Sequence, residues 1–257
     1  MKKTWFFLTL ALTAVLVFPI SSQAHMFWLL TDRDTPKVNE AVQVEIGFGH
    51  KFPRDEEIKA ERLGSIKCVG PDGREVALKK ISPIRYELVP SQKGVYVIAA
   101  QVVPGFVTRT PKGMKMGTKK EVPDANLCFR FDMAGKTLVN VGAQKQGFDR
   151  RAPSTLEIMP RKNLNNLKVG KTLPVRVIFQ GKPLAGAEIK FTHDGWSDPK
   201  TPFAILGKTD AKGEIQVKLD KPGRWLLVAS HKTPYNNPEE CDENFYSASL
   251  TWRVRKK

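Results

Sequence analysis

Apolar residues recur at every second position along most of this chain, and no long stretch repeats at the helical period. In AVQVEIGFG, Val42, Val44, Ile46 and Phe48 share one face. Leu173, Val175, Val177 and Phe179 do the same in TLPVRVIF, as do Ile215, Val217 and Leu219 in GEIQVKLD. YSASLTWRV places Tyr246, Ala248, Leu250, Trp252 and Val254 together, and RYELV, GVYVIAA and LCFRFDM add further strands. Turn residues separate these runs at Pro71-Asp72-Gly73, Gly181-Lys182-Pro183, Asp210-Ala211-Lys212-Gly213 and Pro222-Gly223. A period of two sends alternate side chains to opposite faces of a sheet. Many short strands of this kind bury their apolar faces against one another, so the expected fold is all-β, built from immunoglobulin-like or prealbumin-like β-sandwiches. Only RDEEIKAERL and AGKTLVNVGAQ leave room for short helices.

The stretch RAPSTLEIMPRKNLNN interrupts the alternation with Pro153, Pro160 and a run rich in asparagine. A second all-β pattern follows it. The expected division is an N-terminal sandwich over 25–155 and a C-terminal sandwich over 156–257. Residues 1–24 read as a secretory signal peptide. Lys2 and Lys3 form the charged start, Trp5 to Ile20 the apolar run, and Ser22-Gln23-Ala24 the small-residue exit. No later apolar run is long enough to span a bilayer. The expected mature protein is therefore soluble, exported to the periplasm, and begins at His25.

The net charge is +16, and removal of Lys2 and Lys3 leaves +14. Basic residues are spread along the chain without a helix-turn-helix or a basic-aromatic stacking pattern, so nucleic acid is not an expected partner. Three cysteines, Cys68, Cys128 and Cys241, allow one internal disulfide at most and leave one thiol. Their spacing is not that of a structural zinc site. Cys128 in LCFRF reads as a small buried residue, while Cys241 is either packed or bridged to Cys68. The chain lacks GxSxG, HExxH, a P-loop and GxGxxG before a helix, so no enzyme is expected. Asp55-Glu56-Glu57 reads as a surface charge run.

The four histidines carry the chemical signal. His25 precedes MFWLL, and His50, His193 and His231 end strands at VQVEIGFGH, AEIKFTH and WLLVASH. By parity they continue the faces of Phe48, Phe191 and Ala229 respectively, toward the rim of a sandwich interior. Imidazole suits nickel, cobalt, copper, iron and zinc. Cleavage before His25 would add a free amine, with a pKa of about 7.7–8.0, beside its imidazole, and the pair can close a chelate ring. Met114 and Met116 in PKGMKMGTKK offer thioethers, but a basic loop that happens to hold two methionines is the simpler account, since such a pair needs further sulfur or imidazole ligands. His231, Cys241 and Asp242 gather in HKTPYNNPEECDENFYSASLTW, where they form either a ligand set or an ordinary loop.

These elements together resemble a known family. AHMFWLL after a signal, GHKF near position fifty, GKPLAGAEI, the TDAKG turn, KPGRWLLVASH and CDENFYSASLTWRV are similar to a family of exported bacterial proteins long of unknown function. That family is often described as the periplasmic component of nickel or cobalt uptake. Its members often carry an acidic residue where Met26 stands. The resemblance implies a β-sandwich, a Ni²⁺ or Co²⁺ ligand set of His25, His50 and His231 with His193 less securely placed, and a membrane transporter as partner. A copper protein with a brace built on His25, or a metal-free binding module, is the alternative.

Overall fold

The computed structural model describes residues 25–256 apart from 153, 197 and 199. The signal peptide expected over 1–24 lies outside the described residues. The first half forms β1 (Met26–Thr31), β2 (Val42–Gly49), β3 (Leu63–Val69), β4 (Glu75–Val76), β5 (Lys79–Ser82), β6 (Arg85–Leu88), β7 (Gly94–Val102), β8 (Gly105–Thr110), β9 (Gly113–Met116) and β10 (Leu127–Val141). The second half forms β11 (Leu156–Pro160), β12 (Thr172–Phe179), β13 (Lys182–Pro183), β14 (Glu188–His193), β15 (Ala204–Lys208), β16 (Glu214–Lys218), β17 (Gly223–Pro234) and β18 (Glu243–Val254). The expected strands form where the alternation placed them. Of the two segments with room for helices, the first holds only a 3-10 helix at Ala60–Arg62. The second is the end of β10, whose residues are buried from Met133 to Val141. Burial on both faces erased the alternation that would have marked it as a strand.

The strands build three sheets. One four-stranded sheet has the order β1-β2-β6-β5, and another joins β11, β12, β13 and β16. Between them lies a ten-stranded sheet whose main path is β15-β14-β17-β18-β10-β7-β3-β4, with β8 attached to β10 and β9 to β8. The two sides of β7 show the layering. Tyr96, Ile98 and Ala100 face a core shared with Phe27, Leu29, Val44, Ile46 and Phe48 of the first outer sheet. Val95, Val97 and Ala99 face a second core with Ile158, Leu173, Val175 and Val177 of the other outer sheet. Each such large apolar side chain withdrawn from water contributes about 1.5–3 kcal/mol before entropy is counted. The result is an all-β sandwich in which the central sheet serves both outer ones. The expected 155/156 boundary falls between β10 and β11. The residues on its two sides are joined by the parallel pairing of β10 with β18.

A buried ion pair adds to that junction. Lys136 Nζ on β10 lies 3.2 Å from Glu157 Oε2 on β11, and both side chains are almost wholly buried. Burial pushes the Lys136 ammonium below its usual range against the opposing pull of Glu157. The single disulfide allowed by the cysteine count joins Cys128 to Cys241, while Cys68 is a buried thiol. The expected alternative of a Cys68–Cys241 bridge is thereby corrected. Cys68 faces the core shared with β1 and β2, whereas Cys128 and Cys241 are drawn together where β10 starts beside β18. A bridge across 113 residues contributes about 4–5 kcal/mol on the chain-entropy account.

β1 has an unusual position. It pairs with β2 along one edge, from Met26↔Gly49 to Thr31↔Val44. Hydroxyls rising from the central sheet bind its carbonyls, with Ser249 Oγ donating to Phe27 O and Thr251 Oγ1 to Leu29 O, both at 2.6 Å. Phe27 and Leu29 enter the core under β2, while Met26, Trp28 and Leu30 pack with Leu226 and Val228 of β17. All six residues of β1 are buried. This clasp fixes where residue 25 emerges.

Candidate metal centre

The β1–β2 register sets the site. Because Met26 stands opposite Gly49, the next residues outward, His25 and His50, meet at the rim on the side of Phe27 and Phe48. The His25 ring stacks on Phe48 at 4.7 Å with 7° between planes, and the His50 ring is 4.2 Å away at 47°. The chain then loops back. Glu56 forms a bridge with Phe48, donating its backbone N–H to Phe48 O at 3.1 Å, and its carboxylate faces both histidines. His25 Nε2 lies 3.1 Å from Glu56 Oε2, and His50 Nδ1 lies 3.7 Å from Glu56 Oε1.

The loop from 50 to 56 is secured from within. Asp55 Oδ2 accepts the backbone N–H groups of His50 at 2.6 Å and Lys51 at 3.0 Å. Gly49 sits at φ +124, and a Cβ there would lie 2.5 Å from Asp55 Oδ2, so this close approach requires glycine. From below, Trp28 Nε1 donates to Pro53 O at 3.2 Å and its ring meets Phe52 edge-on at 5.9 Å. The loop thus rests on the clasped strand, and the three donor groups approach one another without requiring an ion.

One donor atom each from His25, His50 and Glu56 lie within 4.8 Å of one another, the one such trio among the described residues. A tetrahedral ion with bonds of about 2.0–2.1 Å needs donors about 3.3 Å apart, a spacing bracketed by the two carboxylate contacts. Burial lowers the His25 pKa below its ordinary value, and the neighbouring His50 adds to the effect while the Glu56 carboxylate opposes it. A neutral imidazole at neutral pH keeps its lone pair available. Two imidazoles and one carboxylate form a donor set for zinc, nickel, cobalt, copper or iron(II) rather than for calcium or magnesium.

The other expected ligands lie elsewhere. His231 on β17 stands opposite Tyr246, and Phe179 meets both rings edge-on at 4.8 Å. Its expected parity with Leu227 and Ala229 accounts for the separation. That face looks toward β12, whereas β1 rides over Leu226 and Val228 on the opposite face. The central sheet therefore stands between His231 and His25. Burial also lowers the His231 pKa. His193 is buried beside Trp225 and Trp196, its Nδ1 2.7 Å from Asp194 O. It sits opposite Trp225, about 20 Å along β17 from His231 at roughly 3.3 Å per residue.

Cys241 and Asp242 close a loop instead of joining a ligand set. Asp242 accepts from Lys119 Nζ at 2.6 Å and from Cys128 N at 2.8 Å. Burial alone would raise its carboxyl, but these hydrogen bonds prevail and hold it below the usual range. Met114 and Met116 lie exposed on β9. Glu56 is the residue that sequence reasoning missed. Its signal was an acid six residues beyond His50, after a turn at Phe52-Pro53, concealed inside a run that reads as surface charge. That run divides by role, with Asp55 holding the loop and Glu56 facing the histidines.

A family model described as Domain of unknown function (DUF4198) matches residues 22–233. No curated protein matches the chain. Among solved structures, the D0-D1 domain of intimin is similar at 14% identity and a TM-score of 0.25, covering 89% of this chain and 99% of that one. Fibronectin(III)-like modules of Clostridium thermocellum CbhA match at 10% identity and a TM-score of 0.23, covering 89% and 94%. A DUF4785 family protein from Legionella pneumophila matches at 11% identity and a TM-score of 0.26, covering 81% and 53%.

Proposed function

Because the chain belongs to the Domain of unknown function (DUF4198) family, whose description names no activity, we propose a function from the site itself: an exported protein that binds a divalent transition metal at His25, His50 and Glu56. The observation that carries this reading is the convergence of those three side chains at one rim. Nickel or cobalt is the proposed ion, and delivery to a membrane uptake system in the periplasm is the proposed role. The donor set suits these borderline metals. The signal-like segment before His25 and a disulfide, which persists in oxidising compartments, support export. Three protein donors leave coordination positions open, which suits an ion that must be handed on. Calorimetric titration of the chain beginning at His25 with Ni²⁺ and Co²⁺ tests the reading. One equivalent should bind, and His50→Ala should abolish that binding. Saturable binding that persists unchanged in His50→Ala would remove the proposed site.

A copper site is the second reading, and one contact favours it. Glu56 faces His25 Nε2, and a carboxylate on that nitrogen is how proteins orient an imidazole whose other nitrogen binds metal. His25 Nδ1 and a free amine could then chelate copper together with His50. One alanine inserted before His25 separates the two readings. The side-chain trio keeps its affinity within about threefold, whereas the amine chelate loses it.

A further inference from the structure

We infer a second ligand site, for one small monatomic anion such as chloride, at the far end of β18 from the histidine rim. It follows from two hydrogen-bond donors without partners. Trp252 is 5% exposed, and its indole N–H has no acceptor. The other tryptophans among the described residues each donate to a carbonyl: Trp28 to Pro53, Trp196 to Thr201 and Trp225 to Lys221. Among the described residues, Asn165 Nδ2 is the other buried side-chain donor left unpaired. Unpaired buried donors are rare in folded proteins, and each calls for a cause. These two residues line the same cavity, which offers about 20 Å³ to the centre of a guest. That is room for a single water-sized or halide-sized particle and too little for a polyatomic oxyanion.

The wall chemistry selects the sign of the guest. Trp252 and the Asn165 amide nitrogen can only donate. Arg253, Arg255 and Asp34 also line the cavity. The Asp34 carboxylate is already engaged by Thr31 Oγ1 at 3.3 Å and Arg253 Nε at 3.2 Å. The lining residues therefore sum to one net positive charge and include two idle donors. A water would satisfy the donors and leave the charge uncompensated, whereas a halide answers both. The apolar side of the cavity, at Leu138, favours a weakly hydrated ion over a strongly hydrated one.

Two measurements test the site on the whole mature chain. Raising chloride from trace levels to about 0.3 M at constant ionic strength should raise Tm by about 2–4 °C. Trp252→Phe and Asn165→Asp should each abolish that rise, the second by replacing a donor with a carboxylate. If either variant fails to fold, crystals of the unaltered protein soaked in bromide decide the matter, since an anomalous peak is expected between Trp252 Nε1 and Asn165 Nδ2. A Tm that ignores chloride, or a water with no bromide peak in that position, overturns the proposal.

Discussion

Two histidine sites lie at one end of this molecule, on opposite faces of the same sheet, and differ in what surrounds the imidazole. His25 meets a second histidine and a carboxylate, while His231 meets Phe179 and Tyr246. Burial lowers both pKa values, so both rings favour the neutral form. Neutrality alone therefore does not make a ligand site. What separates the two is convergence. A hairpin-like return of the chain carries Glu56 back to Phe48 on one rim, and aromatic packing occupies the other. A strand-end histidine becomes a ligand only when a second segment brings donors to the same side of the sheet.

The largest expected effect breaks this comparison if it fails. His50→Ala should weaken Ni²⁺ or Co²⁺ binding by at least about 100-fold, and His231→Ala should leave it within about twofold. Calorimetry on both variants checks this, and equal losses would return His231 to the site. Glu56→Gln comes next, with an expected loss of about 10–100-fold, because the amide keeps the shape and removes the charge. Ser249→Ala should reach the site indirectly. Removing the hydroxyl from Phe27 O costs about 1 kcal/mol in chemical denaturation and should leave the Phe179 and Tyr246 surroundings of His231 intact.

The smallest effect is a shared pH response. The folded-state pKa values of His25 and His231 lie below their unfolded value of 6.5. Below that value the unfolded chain binds more protons than the folded one, so metal-free stability falls as the pH drops from 6.5 through the folded pKa values. A Tm series in acid should show this decline, and His25→Gln and His231→Gln should each flatten part of it. A decline that neither variant alters would show that both rings titrate normally.

Much of the fold was legible because alternation survives wherever one face of a strand is buried differently from the other. Val42 to Phe48 and Leu173 to Phe179 announce themselves in this way. The end of β10 does not, because both of its faces are covered and Lys136 lies among them. The sharing of one central sheet was equally hidden. A parallel pairing such as β10 with β18 leaves no local trace in two segments more than a hundred residues apart. His25 and His50 were legible as strand-end imidazoles, and parity correctly placed His231 with Leu227 and Ala229. Parity states which face of a strand a residue occupies. It does not state which face of the sheet another segment will cross, and for that reason His231 was grouped with His25. Glu56 was obscured for a related reason, since only the return of the loop distinguishes it from its acidic neighbours.

The hydroxyl clasp on β1 has a consequence for the integrity of the chain. Phe27 and Leu29 are held by residues 222 positions later. A chain cut short before β18 would lose both hydroxyls that tie β1 to the central sheet, leaving the pairing with β2 and the packing on β17 to bring His25 to His50. Metal affinity at this rim would thus report on completeness, strongest in molecules whose two ends have met.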